Sequence, residues 1–366
     1  MSAVAVPHPD LAKRDLLPTQ TPLQMLGPSG EAAADAPLPD SDVLLDLYRR
    51  MVIGRRFDTQ ATALTRQGRL AVYPSSHGQE ACQVGAVAAM HVEDWLFPTY
   101  RDSMALVARG VDPVETLGLL RGDQHCGYDP YEHRVGPQCT PLATNTLHAV
   151  GVAHAARLKG ESTVALVLLG DGATSEGDAH EALNFAAVWQ APVVFVVQNN
   201  GYAISVPLVK QSAAPSLAHK RIGYGVPSQL IDGNDPAMVF CAVRDAVEAA
   251  RRGEGPALVE ALTYRVEAHT NADDATRYRS EDEVAYWLAR DPIVRLERHL
   301  MSRDLLDVAR RQHVADEAEA FAESLRERMN EEPKLDPASL FDHVYATPTP
   351  ALRAQAAALA EELAAT

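Results

Sequence analysis

The chain has 366 residues, 33 Lys and Arg against 49 Asp and Glu, a formal net charge of −16, and 46% hydrophobic residues. At roughly 150 residues per domain, that length allows two domains or one large α/β domain with appendages, with a core large enough to fold without disulfides or a structural metal. The acidic balance argues against a nucleic-acid partner, which needs clustered Lys and Arg, and no apolar run approaches the roughly 18–20 residues that span a bilayer.

The first 40 residues hold seven of the 24 prolines (Pro7, Pro9, Pro18, Pro22, Pro28, Pro37, Pro39) and little apolar periodicity. They read as an extended arm, flexible alone and ordered against a partner, without the apolar centre of a secretory signal. Helical patterning begins near Ser41, with Leu44, Leu47, Tyr48, Met51 and Val52 on one stripe. A second helix is expected from Gln79 to about Met90; its small buried face (Ala81, Val84, Gly85, Ala88) asks for a closely approaching neighbour. The stretch Asp94–Pro141 is rich in Gly, Pro, His and Tyr and weakly periodic, and long irregular stretches are usually functional. A third helix reads with Thr140 as N-cap, Pro141 at its first position and Gly160 just past its end. The four cysteines, Cys82, Cys126, Cys139 and Cys241, form no C-x-x-C pair and suit a reducing cytoplasm.

Thr163–Leu169 and Pro192–Val197 are continuous apolar strands flanking an amphipathic helix, Asp178–Gln190. Strand, helix, strand over about 35 residues is a right-handed βαβ unit with parallel strands. Pro227–Asp232, a helix over Pro236–Arg252 and Ala257–Val266 repeat the alternation, which predicts an α/β fold with a doubly wound, mostly parallel sheet. The chain from Glu281 onward reads as helical and charged. The expected organisation is an arm at 1–40, an α/β domain at 41–300 and a helical extension at 301–366.

Ligands of parallel α/β sheets bind beyond the carboxyl ends of the strands. Two such ends carry Gly170-Asp171-Gly172 and Asn199-Asn200-Gly201-Tyr202, with 26 residues between the GDG and the NN. That spacing is one helix plus one strand, so both loops emerge side by side. A dinucleotide fingerprint would need Gly where Ser175 stands, and a P-loop would need a lysine that is absent. A carboxylate at a phosphate site repels its ligand unless a divalent cation lies between them. Asp171 and the Asn200 side-chain oxygen are hard ligands of the kind magnesium takes, so the pair asks for a Mg²⁺–diphosphate ligand. Either motif alone is more often an ordinary turn.

The stretch GDGATSEGDAHEALNFAAVWQAPVVFVVQNNGYAIS resembles the thiamine diphosphate motif of 2-oxo acid dehydrogenase E1 component α subunits. The similarity continues through GRLAVYPSSHGQEACQVG, FPTYRD, TPLAT, DGNDP and AHTNADDATRYRS, over roughly residues 40–345. It is strongest to the branched-chain 2-oxo acid dehydrogenase type and nearly as strong to the pyruvate dehydrogenase type, which stands as the alternative. The resemblance implies a thiamine diphosphate-binding fold and oxidative decarboxylation of a 2-oxo acid, with transfer of the acyl group to the lipoyl group of an E2 acyltransferase. It also implies an α₂β₂ heterotetramer, because the glutamate that activates the aminopyrimidine belongs to the β subunit. Position by position, Asp171, Asn200 and the carbonyl of Tyr202 match the Mg²⁺ ligands. Gly172 and Ala173 match backbone that meets the diphosphate, as do the side chains of Tyr100 and Arg101. Thr140 and Leu142 fall beside the thiazolium. His269 matches the histidine at the reacting centre, the candidate for steering protons and assisting acyl transfer. Gln198 stands where branched-chain relatives often place an arginine on the diphosphate. Tyr73 and His125 are the candidates for substrate contact. Asp273 and Asp274 read as partners that order the loop after His269 rather than as a carboxylate dyad, and the pair Tyr278-Arg279 reads as its anchor.

Overall fold

The computed structural model describes residues 17–123, 126–331, 336–342 and 344–365. Five strands, β1 (Trp95–Phe97), β2 (Ala165–Gly170), β3 (Val193–Asn199), β4 (Ser228–Asp232) and β5 (Ala257–Leu262), form one wholly parallel sheet in the order β1-β2-β3-β5-β4. The longer helices of this part are α1 (Ser41–Arg66), α2 (Glu80–Ala88), α3 (Thr144–Lys159), α4 (Gly177–Trp189) and α5 (Pro236–Arg251).

Why Ala165–Leu169 of β2 and Val193–Val197 of β3 are apolar throughout is visible in where alternate residues go. Leu166, Leu168, Val194 and Val196 enter one core, with Leu44 and Met51 of α1, Val84 of α2 and Val239 and Val243 of α5. Ala165, Val167, Val193, Phe195 and Val197 enter a second core on the other face, against Ala149 and Ala153 of α3 and Ala182 and Ala186 of α4. A sheet covered on both faces has no polar side to show. Each fully buried Val, Leu or Phe contributes about 1.5–3 kcal/mol, so the strands that carry the motifs are firmly held. Helix α2 approaches closely, as its small face requires: a Cβ added at Gly85 would lie 2.9 Å from Cγ1 of Val239.

Three features differ from the sequence reading. The irregular stretch contains the edge strand β1, whose pairing runs from Trp95↔Ala165 to Phe97↔Val167. Helix α3 begins at Thr144, not Pro141, and its N-cap Ala143 has φ +65°. Residue 139 is first drawn beside the end of β1, where the N–H of Tyr100 donates to the carbonyl of Cys139 (3.1 Å). The chain must therefore turn before a helix can start. The arm, from Leu17 on, lies on its own chain. The Leu23 N–H bonds the Leu230 carbonyl (2.9 Å) and the Asp232 N–H bonds the Leu23 carbonyl (2.8 Å), while Asp235 Oδ2 accepts the N–H groups of Met25 and Leu26 (2.6 and 2.7 Å). The described part of the arm is tied to β4 and to the start of α5.

Beyond the sheet come α6 (Glu281–Leu288), α7 (Pro292–Ser302), α8 (Val308–Arg328) and α9 (Pro350–Ala364). Helix α7 crosses the expected boundary at residue 300. Helix α8 packs along α1 through Leu325 and the following Met329 against Phe57, Ala61 and Leu64, with Arg49–Glu317 and Arg56–Glu319 pairs beside them. No described helix is long and apolar enough to cross a membrane, and all four cysteines are unbonded.

Candidate functional site

The register of the sheet makes the site. β2 and β3 pair up to Gly170↔Gln198, so Asp171 lies one residue and Asn200 two residues beyond the last pair, on neighbouring strand ends. Both line a cavity of about 370 Å³ at that edge, with Gly172, Ala173, Gln198 and Tyr202 beside them. Tyr100, Arg101 and Leu142 arrive from the segments after β1 and before α3, and Arg265 and His269 from the chain after β5.

Asp171 is 1% exposed. Its Oδ2 accepts from Gln211 Nε2 (3.1 Å), and among the described residues no ion pair reaches it. Burial pushes its carboxyl up, while the Gln211 amide and the backbone N–H groups of Asp171 and Asn200 pull it back down. The ammonium it feels, Lys220, is bonded to the carbonyl and hydroxyl of Thr174 (3.2 and 3.1 Å). The Arg265 charge also pulls the carboxyl down without pairing with it, and a buried carboxylate on a cavity wall with no ion pair fits a bound cation. Asn200 Nδ2 donates to Gln79 Oε1 (3.1 Å), and Asn200 Oδ1 accepts the N–H of Tyr202 (3.2 Å). Among the described residues no three His, Cys, Asp or Glu are grouped to hold a metal. One carboxylate, one amide oxygen and a carbonyl make a magnesium-type set, which leaves room for phosphate oxygens and water.

The hairpin Tyr202–Pro207 closes over Gly172. A Cβ there would lie 2.8 Å from Ala203 Cβ, so this glycine is required by the hairpin as well as by any ligand. Ile204, at the hairpin turn, has φ +57°, a strained value for a β-branched residue, and its carbonyl is held by Arg265 Nη2 (3.0 Å). Arg265 is 2% exposed and its Nε has no partner. A buried guanidinium with an unmet donor on the cavity wall fits an anion.

Arg101 binds the Ser75 carbonyl through Nη1 (2.8 Å), and through Nη2 both Nδ1 and the carbonyl of His269 (3.0 Å each). A guanidinium only donates. The His269 Nδ1 is therefore an acceptor, and the neutral ring carries its proton on Nε2. Burial, then the charges of Arg101 and Arg265, push His269 down to about 4, against a smaller opposing pull from Asp273. The His269 loop is fixed by side chains. Asp273 Oδ2 accepts the His269 N–H (2.9 Å) and the Tyr278 hydroxyl, and Tyr278 in turn accepts from Arg265 Nη2 (3.2 Å). Arg279 donates to the carbonyls of Arg265 and Val266.

The structure thus brings together Tyr100, Arg101, Leu142, Asp171, Gly172, Ala173, Gln198, Asn200, Tyr202 and His269. Thr140 is exposed and is not part of the cavity wall. Tyr73 is 3% exposed and its hydroxyl is committed to Asp58 Oδ1 (2.9 Å), which makes it a support behind the wall rather than a substrate contact. His125 lies outside the described residues. Sequence reasoning missed Gln79, Asp102, Gln211 and Arg265. Arg265 sits in the TYR that precedes His269, and an arginine directly after an apolar strand was the available signal.

The sequence matches the family described as "Dehydrogenase E1 component" over residues 48–338. It is 45% identical over 349 residues to the 3-methyl-2-oxobutanoate dehydrogenase subunit alpha of Mycobacterium tuberculosis (strain H37Rv), covering 94% of this chain and 95% of that one. It is 37% identical over 327 residues to the pyruvate dehydrogenase E1 component subunit alpha of Staphylococcus aureus (strain Mu50), covering 88% of each.

Proposed function

The chain belongs to the dehydrogenase E1 component family, and from that premise we propose that it is the α subunit of a thiamine diphosphate-dependent 2-oxo acid dehydrogenase of the 3-methyl-2-oxobutanoate type. In this reading it decarboxylates branched-chain 2-oxo acids oxidatively and passes the acyl group to the lipoyl group of an E2 partner. The higher identity and fuller coverage of the 3-methyl-2-oxobutanoate relative favour this substrate class over pyruvate. The single observation that carries the cofactor assignment is the juxtaposition of Asp171 and Asn200 on one cavity wall.

Asp171, Asn200 Oδ1 and the Tyr202 carbonyl would hold Mg²⁺. The Arg101 fork, Arg265 and the backbone at Gly172 and Ala173 would hold the diphosphate. Thiamine diphosphate, when bound, supplies an acidic ring carbon that adds to the 2-oxo carbonyl and a ring that accepts the electrons released with CO₂. What this chain adds is orientation and proton control. Arg101 fixes the His269 tautomer, so that Nε2–H is the donor left for the cavity. Because His269 stays neutral near pH 7, it hydrogen-bonds without adding charge to a wall already bearing two guanidiniums. Leu142, Ile204 and Val206 give the cavity an apolar side. The chain has one diphosphate-binding unit, which supports a β subunit completing each site in an α₂β₂ assembly. A cytoplasmic location, where thiols stay reduced, is part of the proposal.

The test is reconstitution with a β subunit, a lipoyl acceptor, Mg²⁺ and thiamine diphosphate. Turnover of 3-methyl-2-oxobutanoate above pyruvate is expected. The reverse preference would move the chain to the pyruvate type, and turnover without thiamine diphosphate would overturn the reading.

A further inference from the structure

Behind Asn200 runs a chain of side-chain amides that begins on a buried carboxylate. Asp102 is 0% exposed, and every group that reaches it donates. Its Oδ2 takes the N–H and the hydroxyl of Thr99 (2.7 Å each). Its Oδ1 takes Gln198 Nε2 (2.7 Å) and Gln83 Nε2 (3.0 Å). Gln83 is oriented independently, since its Oε1 accepts the N–H of Ala105 (3.2 Å).

A carboxylate has only oxygens to offer, so Gln198 meets it through its NH₂ end and turns Oε1 away, toward Gln79 Nε2 (2.9 Å). Gln79 Oε1 then accepts from Asn200 Nδ2 (3.1 Å). The chain therefore ends on Asn200 Oδ1, an oxygen with one lone pair used by the Tyr202 N–H and another to spare. Each amide has nearly the same shape after a half-turn, so sterics alone do not select this sense. Reversed, the chain would end on an NH₂, a donor where a cation needs an acceptor, and would set it against the Tyr202 N–H, so that bond at the far end works in the same sense as Asp102.

We propose that Asp102 is a positioning residue that sets the sense of the Gln198–Gln79–Asn200 amide chain and thereby presents the Asn200 oxygen to the cation. The proposal rests on the reading of Asp171 and Asn200 as a magnesium–diphosphate site. In Asp102→Asn, the Thr99 N–H still demands an oxygen, so the new NH₂ faces Gln83 and Gln198. Gln83, held by Ala105, stays opposed to it, while Gln198 is free to turn Oε1 toward it, which favours the reversed chain. In that background Asn200→Asp restores an oxygen toward the cation, because one carboxylate oxygen accepts from the reversed Gln79 and the other is left over. In the parent background the same change sets a carboxylate against Gln79 Oε1.

The test is Mn²⁺ affinity, read by electron paramagnetic resonance on the reconstituted α–β complex with thiamine diphosphate. Asp102→Asn is expected to weaken Mn²⁺ about 10–100-fold, the usual cost of losing a partner behind a metal ligand. Asn200→Asp is expected to help about tenfold more in the Asp102→Asn background than in the parent, a coupling that mere loss of packing does not produce. Should Asp102→Asn not assemble, Gln79→Met cuts the same chain at its next link and is expected to reproduce most of the loss. Parent-like Mn²⁺ affinity in Asp102→Asn, or in Gln79→Met, would overturn the proposal, as would an equal effect of Asn200→Asp in both backgrounds. Binding in the parent that Asp171→Ala abolishes keeps the site reading intact through those results. Failure of the parent to bind Mn²⁺, or undiminished binding in Asp171→Ala, would overturn the site and the proposal together.

Discussion

Two walls of the cavity are held in different ways. The one carrying Asp171 and Asn200 is the end of two paired strands whose apolar side chains, Ala165–Leu169 and Val193–Val197, are buried in one of two cores. The one carrying His269 is a loop held by hydrogen bonds from Asp273, Tyr278, Arg279 and Arg101. The backbone of the first wall is placed by strand register, and only the turn of the Asn200 amide depends on side chains behind it. The second is placed by a few side chains, each of which can be removed. Changes at the strand ends should therefore alter the ligands of the cofactor, and changes in the loop should alter how His269 is presented.

The largest expected effect is on the strand-end wall. Asp171→Ala should abolish Mg²⁺-dependent thiamine diphosphate binding in calorimetry while leaving the thermal midpoint within a few degrees, since a desolvated carboxylate without an ion pair stabilises the fold little. On the loop wall, His269→Ala should leave cofactor affinity nearly unchanged and reduce acyl transfer to lipoamide by about 10²–10⁴-fold, the range of general acid–base contributions. Equal turnover in mutant and parent would remove His269 from the reaction. Asp273→Ala takes away the acceptor of both the His269 N–H and the Tyr278 hydroxyl. It should lower transfer by roughly tenfold, about 1.4 kcal/mol, with faster hydrogen exchange over residues 267–280 and unchanged cofactor affinity. Tyr278→Phe removes the hydroxyl that donates to Asp273 and accepts from Arg265 and should cost about 0.5–1.5 kcal/mol for each bond lost, read as a fall in the denaturation midpoint.

The smallest effect is one of pH. The folded-state value of His269, about 4, lies below the ordinary 6.5. Between the two, the unfolded chain binds more protons than the folded one, so this residue makes stability rise with pH through that window. His269→Gln should flatten the stability–pH profile there. An unchanged slope would show that the ring is not held neutral.

What the sequence revealed and what it hid follow the same division. Asp171 and Asn200 were legible because strand length, helix length and the 26-residue spacing fix their relative position through a period-two backbone. The three-residue β1 was hidden, since it is too short for periodicity and sits among Gly, Pro and Tyr. The start of α3 was misread because Thr140-Pro141 carries a strong local capping signal that tertiary pairing at Cys139 overrides. Tyr73 looked available for substrate, but a carboxylate in α1, Asp58, claims its hydroxyl. Asp102 and Gln79 left no trace in the pattern, because their roles depend on partners about a hundred residues away (Asp102 to Gln198, Gln79 to Asn200).

The most direct test is a crystal structure of the reconstituted complex with Mn²⁺ and thiamine diphosphate, with the metal located by its anomalous signal. The account predicts the ion about 2.0–2.2 Å from Asp171, Asn200 Oδ1 and the Tyr202 carbonyl, joined to the diphosphate. A metal and diphosphate bound elsewhere, or Asn200 turned with its NH₂ toward the ion, would contradict it.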